Sequence, residues 1–558
     1  MRMLSWLLLA ACLWVPQTAD AVPREAAFTL WDWTTPCRDI DTFEAWVANL
    51  AELGFTHVEI SAPWKTLEPE PGHYALAFVR DRLALCERHG LGMRVRINSF
   101  LRGATPEWYG GAVWQDADGK EVQGGIPSIM DDTFWARFGP LCTVLARAFA
   151  ASDVYWSPFI GVHAELKWAD WWSYDAATLA AWRECIAAPR PPWLTAIVSR
   201  GTELPQRPPE PPPTQGTPDT NPVHNAVIAF REHCWRQAVA RFVTAIEEGN
   251  PAARVSVPLG ESYRRLSAHM ANLDYHGYSR GADQVVHSYD FFWHAQDAPW
   301  HAAASVAAFQ GITGLPVVFE LDGPVLLSDH GYTVQKLVAL GKAAHAQGAG
   351  LNVSNWSYHA PQPSSHETVR AFANLWRAAA KKRGAPQHDT VLLFLSKWAN
   401  YQYREDTNWL HAAQFGVWKL LRDLDVPTRI ICEDNLGENL EAYRALWLAF
   451  SPPALLPNAA QERLESLNLP TVIDMPVVPE MRDTGERAYD ERLGMKVCVA
   501  GAACPVAPAP ADARAGAAAW VFGYPIGHVY VHGPDPAMQR TLARKVLEKV
   551  SEQARSTP

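Results

Sequence analysis

Between residues 27 and 354 the chain repeats one pattern eight times: a short run of apolar, β-branched or aromatic residues, then a longer stretch of helical character. The short runs predict strands at residues 28–34, 56–62, 93–98, 154–163, 254–259, 284–289, 317–320 and 350–354. The stretches between them include helices at 42–53, 78–89, 226–248 and 334–347. Strands alternating with helices form a parallel sheet, because a parallel connection needs a crossover of a dozen residues or more. Eight such units fit a (β/α)8 TIM barrel with insertions, spanning residues 22–383.

After Lys381-Lys382-Arg383-Gly384 the rhythm restarts, with strands at 390–395, 428–432, 445–450 and 471–473 and helices at 412–421 and 459–467. Two further strands, 519–522 and 528–532, and a helix at 536–553 complete a smaller doubly wound, flavodoxin-like α/β domain over residues 384–558. It has no glycine-rich phosphate loop, so no nucleotide cofactor is expected. Residues 187–222 form a Pro-rich insertion containing Pro208-Pro209-Glu210-Pro211-Pro212-Pro213, which can be neither helix nor inner strand. It is an extended surface segment, read either as a plain loop or as a wall beside a cleft.

The N-terminus, Met1-Arg2-Met3 followed by an apolar run over residues 4–15 and by Ala19-Asp20-Ala21, reads as a signal peptide over residues 1–21. The expected location is therefore periplasmic or secreted. Leu9-Ala10-Ala11-Cys12 carries the competing reading of a lipid anchor at Cys12. No later stretch has the roughly 18 apolar residues of a membrane span. The net charge of -10 argues against a nucleic-acid partner. For an oxidising compartment, Cys498 with Cys504 and Cys185 with Cys234 are the expected disulfide pairs, and Cys86 and Cys142 are expected to be buried thiols. No cysteine has zinc-site spacing, and His57, His163 and His287 lack metal spacing too, so no metal is expected.

Groups at the C-terminal ends of barrel strands converge on one cleft. Glu320 ends the seventh predicted strand, in Val317-Val318-Phe319-Glu320-Leu321-Asp322-Gly323-Pro324, and Glu165 ends the fourth, in Gly161-Val162-His163-Ala164-Glu165-Leu166-Lys167-Trp168. Cleaving a glycosidic bond takes one carboxylic acid to protonate the leaving oxygen and one carboxylate to stabilise or attack the anomeric carbon. Glu165 and Glu320 are the candidate pair. Arg96 and Asn98, two apart on the third strand, point the same way, into the barrel or its mouth. Tyr289 and Asp322 are candidates for binding sugar hydroxyls or for structural hydrogen bonds. The chain holds 25 tryptophans, and Trp64, Trp168 and Trp356 at predicted strand ends are either sugar platforms or packing at the barrel mouth.

Residues 54–74, with their Leu67-Glu68-Pro69-Glu70-Pro71-Gly72-His73-Tyr74 element, are similar to the second strand and loop of clan A glycoside hydrolases, particularly family 42 β-galactosidases. The likeness continues through His89-Gly90-Leu91-Gly92-Met93-Arg94-Val95-Arg96, Ala104-Thr105-Pro106-Glu107-Trp108, Trp193-Leu194, Asn221-Pro222 and Phe230-Arg231-Glu232, and covers about residues 27–475. The resemblance implies a retaining enzyme with Glu165 as acid/base and Glu320 as nucleophile, their carboxyl groups roughly 5 to 5.5 Å apart. It implies a β-linked galactoside or related oligosaccharide as substrate and a second α/β domain after the barrel; no cofactor is expected, and the second domain is read as serving packing or homo-oligomerisation. Two departures stand out. Clan A enzymes usually carry Asn just before the acid/base, where Ala164 stands here, so that His163 or Asn98 replaces its contact to the sugar 2-hydroxyl or the substrate differs there. The zinc-binding cysteine cluster of part of family 42 is also absent after Glu165. Ala164-Glu165-Leu166-Lys167 is similar as well to the acid segment of the inverting β-amylases. The alternatives are another clan A or inverting hydrolase, and a carbohydrate-binding protein on a barrel whose catalysis has decayed.

Overall fold

The structure is a computed structural model. It describes residues 25–30, 40–99, 103–121, 125–160, 173–198, 201–208, 222–260, 274–289, 299–322, 333–354, 370–371, 373–374, 390–402, 407–451, 456–474, 507–508, 519–522 and 525–556. Residues 1–21 with Cys12, residues 209–221 of the insertion, Cys498 and Cys504 lie outside the described residues.

Eight parallel strands close into a barrel in sequence order: β1 (Ala26–Leu30), β2 (His57–Pro63), β3 (Gly92–Asn98), β4 (Val154–Phe159), β5 (Arg254–Gly260), β6 (Gln284–Tyr289), β7 (Val317–Asp322) and β8 (Gly350–Ser354). Closure is made by β8 pairing back on β1, with Phe28 opposite Val353. Side chains alternate across a strand. On β3, Met93, Val95 and Ile97 pack outward into the main hydrophobic core, while Arg94, Arg96 and Asn98 are buried on the other face. The same alternation sends Val317, Phe319 and Leu321 of β7 outward and leaves Glu320 inside. The barrel interior is therefore polar, and the apolar core lies in the shell between strands and helices.

The helix Pro222–Gly249 has 28 residues, a length of about 42 Å at 1.5 Å per residue. A seven-residue strand such as β5 covers only about 23 Å. Because this helix runs down from the C-terminal rim to the start of β5, its N-terminal half overhangs that rim.

The second domain is a six-stranded sheet of order β10-β9-β11-β12-β14-β13. Its strands are β9 (Val391–Phe394), β10 (Thr428–Ile431), β11 (Ala445–Leu448), β12 (Thr471–Ile473), β13 (Ala507–Pro508) and β14 (Ala519–Val521), all parallel except β13. The predicted strand at 528–532 is instead the helix Ile526–His532. The alternating His528-Val529-Tyr530-Val531-His532 has strand periodicity, but packing decides the matter. Gly527 lies so close to Gly416 of the helix Thr407–Asp423 that a Cβ on Gly416 would come within 2.3 Å of the Gly527 carbonyl oxygen. Two glycines thus let two helices touch backbone to backbone, and local propensity yields to that contact.

The two domains meet through charge and through close backbone contact. Lys397 Nζ, after β9, donates to Glu232 Oε2 at 2.9 Å and to Asp434 Oδ2 at 2.7 Å, and Tyr401 Oη donates to Glu232 Oε1 at 2.8 Å. Glu232 belongs to the overhanging half of the long helix, so the second domain braces the barrel rim. Gly311 of the helix Pro299–Thr313 carries no side chain because the Ile430 carbonyl oxygen sits 2.1 Å from where its Cβ would be. Cys185 and Cys234 are both free thiols, against the expected disulfide, although they pack into one hydrophobic cluster. Cys86 and Cys142 are buried thiols.

Candidate active site

Charged side chains inside a barrel persist only when they are paired. Here they form a chain. Arg94, fully buried, donates to Glu25 before β1 and to Glu59 on β2. Burial opposes the charge on Arg94, yet Glu25 and Glu59 more than offset it, so the guanidinium is held more firmly protonated than in water. Burial likewise works against an ionised Glu25, and Arg94 with the Gln284 amide outweighs it, leaving that carboxyl below its usual range. Arg96, two residues further along β3, pairs through Nε with Glu59 and donates through Nη2 to Glu320 Oε2 at 2.6 Å. Asn352 of β8 donates through Nδ2 to Glu320 Oε2 at 2.8 Å and to Glu59 Oε2 at 3.3 Å.

The strand register explains the convergence. Glu320 lies beside Asn352 on one side and Ser288 on the other, while Glu59 lies beside Arg94 and Ser61 beside Arg96. Inward positions two apart on neighbouring strands fall in stacked layers, and the chain Glu25, Arg94, Glu59, Arg96, Glu320 climbs through them toward the C-terminal end. Glu320 is 4% exposed and has charge-assisted hydrogen bonds to one oxygen. Such contacts favour an ionised, fixed carboxylate. A carboxylate held this way can attack or stabilise an electron-poor carbon.

Of the other expected residues, Asn98 is buried and donates through Nδ2 to Ser61 Oγ at 3.0 Å, at the rim of the same interior. Tyr289 lies opposite Leu321, and Asp322 opposite Ser354, at the C-terminal ends of β6 and β7. Trp64 is not a sugar platform. It is fully buried, its Nε1 donates to Glu68 Oε2 at 2.8 Å, and its ring sits 5.3–5.7 Å from Trp108, Tyr109, Phe134 and Phe138. The motif explains why: Glu68 Oε1 also accepts from the Gly72 amide at 2.8 Å, and Gly72 takes a positive φ of 75°, so the Pro-Gly turn folds back over the indole. Glu165, His163, Trp168 and Trp356 lie outside the described residues, as does Ala164. His287 turns away from the interior, its Nε2 hydrogen-bonded to Ser305 Oγ in the helix layer.

Sequence reasoning missed Glu59, Arg94, Glu25 and Asn352. The signal was present in the period of two: Glu59 with Ser61, and Arg94 with Arg96 and Asn98, are polar residues spaced two apart in otherwise apolar strands. Among the described residues no group of three or more His, Cys, Asp or Glu is placed to hold a metal ion, and no described helix is long and apolar enough to cross a membrane. A cleft of about 390 Å³ lies at the domain junction, lined by Trp193, Glu232, His233, Lys397, Asp434 and Arg463 among others and by no barrel-strand residue.

The sequence matches no protein-family model and no curated protein. Solved structures do match. A β-galactosidase from the Antarctic haloarchaeon Halorubrum lacusprofundi aligns at TM-score 0.61 and 15% identity over 81% of this chain and 72% of that one. The cold-adapted β-galactosidase of Rahnella sp. R3 aligns at TM-score 0.61 and 13% identity, covering 82% and 71%. An exo-β-1,4-mannosidase from Opitutaceae bacterium strain TAV5 aligns at TM-score 0.50 and 14% identity, covering 93% and 95%. The likeness is one of fold. At these identities it places the barrel and the second sheet among the architectures used by glycoside hydrolases.

Proposed function

We propose that this protein is a retaining glycoside hydrolase of the clan A type, exported to the periplasm or beyond, that cleaves β-galactoside-type oligosaccharides. The observation that carries the proposal is Glu320: a buried carboxylate at the C-terminal end of a barrel strand, held by a guanidinium and an amide. Glu320 is the nucleophile. Glu165, which follows β4, is the acid/base. In the first step Glu320 attacks the anomeric carbon while Glu165 gives its proton to the departing glycosidic oxygen; in the second, water deprotonated by Glu165 displaces the sugar from Glu320. The requirements on the two carboxyls differ, since the nucleophile is ionised at rest and the acid is protonated. The hydrogen bonds from Arg96 and Asn352 support the first. The fold likeness to β-galactosidases supports the substrate class.

The test is a screen of aryl β-glycosides with the wild type beside Glu320→Gln. The reading expects β-galactoside or related hydrolysis that falls by at least about 10³-fold in the variant, the scale on which loss of a catalytic group is felt. Unchanged activity in Glu320→Gln would sink the assignment.

A further inference from the structure

Among the described residues, two donors hold Glu320, and each is shared. Arg96 reaches Glu59 through Nε and Glu320 through Nη2, and the Asn352 amide lies 3.3 Å from Glu59 Oε2 and 2.8 Å from Glu320 Oε2. Glu59 is completely buried and touches no solvent, so it lies beneath the cleft rather than in it. We propose that Glu59 is a positioning residue for the nucleophile: it fixes Arg96 and Asn352 against Glu320 and tempers the positive charge that Arg96 presents to it. This inference rests on Glu320 being the nucleophile.

The physical argument concerns a balance. A nucleophilic carboxylate has to be ionised at working pH, yet one stabilised too strongly by a full guanidinium charge in a low-dielectric interior loses basicity and attacks poorly. Sharing Arg96 with a second carboxylate divides that charge, and the negative Glu59 adds repulsion that raises the energy of the ionised Glu320. Arg94 and Glu25 complete the arrangement by giving Glu59 a cation of its own, so that Glu59 stays in place without drawing Arg96 away. Three carboxylates, Glu25, Glu59 and Glu320, face two guanidiniums, Arg94 and Arg96. Among the described residues of this chain, the carboxylates thus outnumber the guanidiniums by one.

Glu59→Gln keeps the shape and removes the charge. With an aryl glycoside as substrate, the acid limb of the kcat/KM profile, which reports the ionisation of the free enzyme's essential carboxylate, is expected to move about one unit to lower pH. The plateau kcat falls and KM changes little, whereas Glu59→Asp keeps the limb near its wild-type position. Glu59→Gln leaves two carboxylates facing two arginines, so the pair Glu59→Gln with Arg94→Met, which keeps the wild-type net charge, is measured alongside it and is expected to show a smaller shift in the same direction. A limb that stays in place in the folded variants, or loss of fold in both, gives Glu59 a purely structural role and overturns the proposal. Glu320→Gln is run in parallel: if it retains activity the nucleophile reading itself fails, and if it is dead while the limb stays in place only the role of Glu59 fails.

Discussion

Arg96 offers one guanidinium to two carboxylates, and Asn352 offers one amide to the same two. At this scale the account predicts unequal losses. Asn352→Ala removes a single charge-assisted hydrogen bond from Glu320, a loss of about 1.5–3 kcal/mol and so of about 10- to 100-fold in kcat/KM, with the protein still folded. Arg96→Lys is more damaging, since a point charge cannot serve two separated acceptors as a planar fork does. It leaves a buried carboxylate without its partner, which costs about 3–5 kcal/mol; thermal unfolding and activity should both fall. The strand-end position of Glu320 and the inward direction of Arg96 were legible from a strand period and a barrel count. The inward direction of Glu59 was legible in the same period, but its partners and those of Asn352 were not, because they depend on which residue of a neighbouring strand lies beside them, and register is a three-dimensional fact.

At the scale of elements, most of the pattern could be read because barrel strands are buried on both faces and recur at regular intervals between helices. One place resisted, and it is a glycine at a close contact. The strand read at 528–532 is a helix because Gly527 and Gly416 bring two helices together. Gly311 is similar: its helix presses on β10 with the Ile430 carbonyl 2.1 Å from a hypothetical Cβ. Gly311→Ala would therefore force the junction apart, and a loss of about 1–3 kcal/mol is expected despite the better helix propensity of alanine. Denaturant unfolding checks it; a stabilised variant would show that the contact is slack. Trp64 teaches the same lesson from the other side. The Leu-Glu-Pro-x-Pro-Gly element was legible as the loop after a strand, but its use in folding Glu68 and Gly72 around the indole depended on contacts no strand pattern contains.

For the whole molecule, buried carboxylates at the domain junction and within the second domain set the pH response. Burial pushes Asp274 up to about 7 despite Lys397, Glu433 up to about 7, and Asp474, behind the Phe450 amide, up to about 8. In the unfolded chain such groups titrate near about 4. The folded state therefore binds more protons between these limits, and stability falls as pH rises. The three contributions are fully present below about 4 and lost as pH rises through about 7 to 8. Asp434 works in the opposite sense: burial is outweighed by Lys397 and Arg236, its carboxyl is lowered to about 2, and its contribution is lost only toward that pH. The melting temperature should thus be higher at pH 5 than at pH 8.5, and Asp474→Asn should flatten the difference. Lys397→Met strips Glu232 and Asp434 of a shared cation and should cost about 3–5 kcal/mol, splitting thermal unfolding into two transitions as the domains uncouple. A single transition at the wild-type temperature would contradict that picture.

The central claim is that Glu320 forms a covalent bond to sugar, and it can be read directly. A 2-deoxy-2-fluoro β-glycoside with a good leaving group reacts with a retaining enzyme and turns over slowly, since fluorine next to the anomeric carbon disfavours the oxocarbenium-like transition state. Incubating the wild type with the fluoro sugar that matches its best aryl substrate, digesting it and measuring peptide masses should show one fluoroglycosyl increment, on the peptide carrying Glu320, and none in Glu320→Gln. An enzyme that hydrolyses the aryl glycoside yet carries the label on another residue, or none at all, would contradict the account.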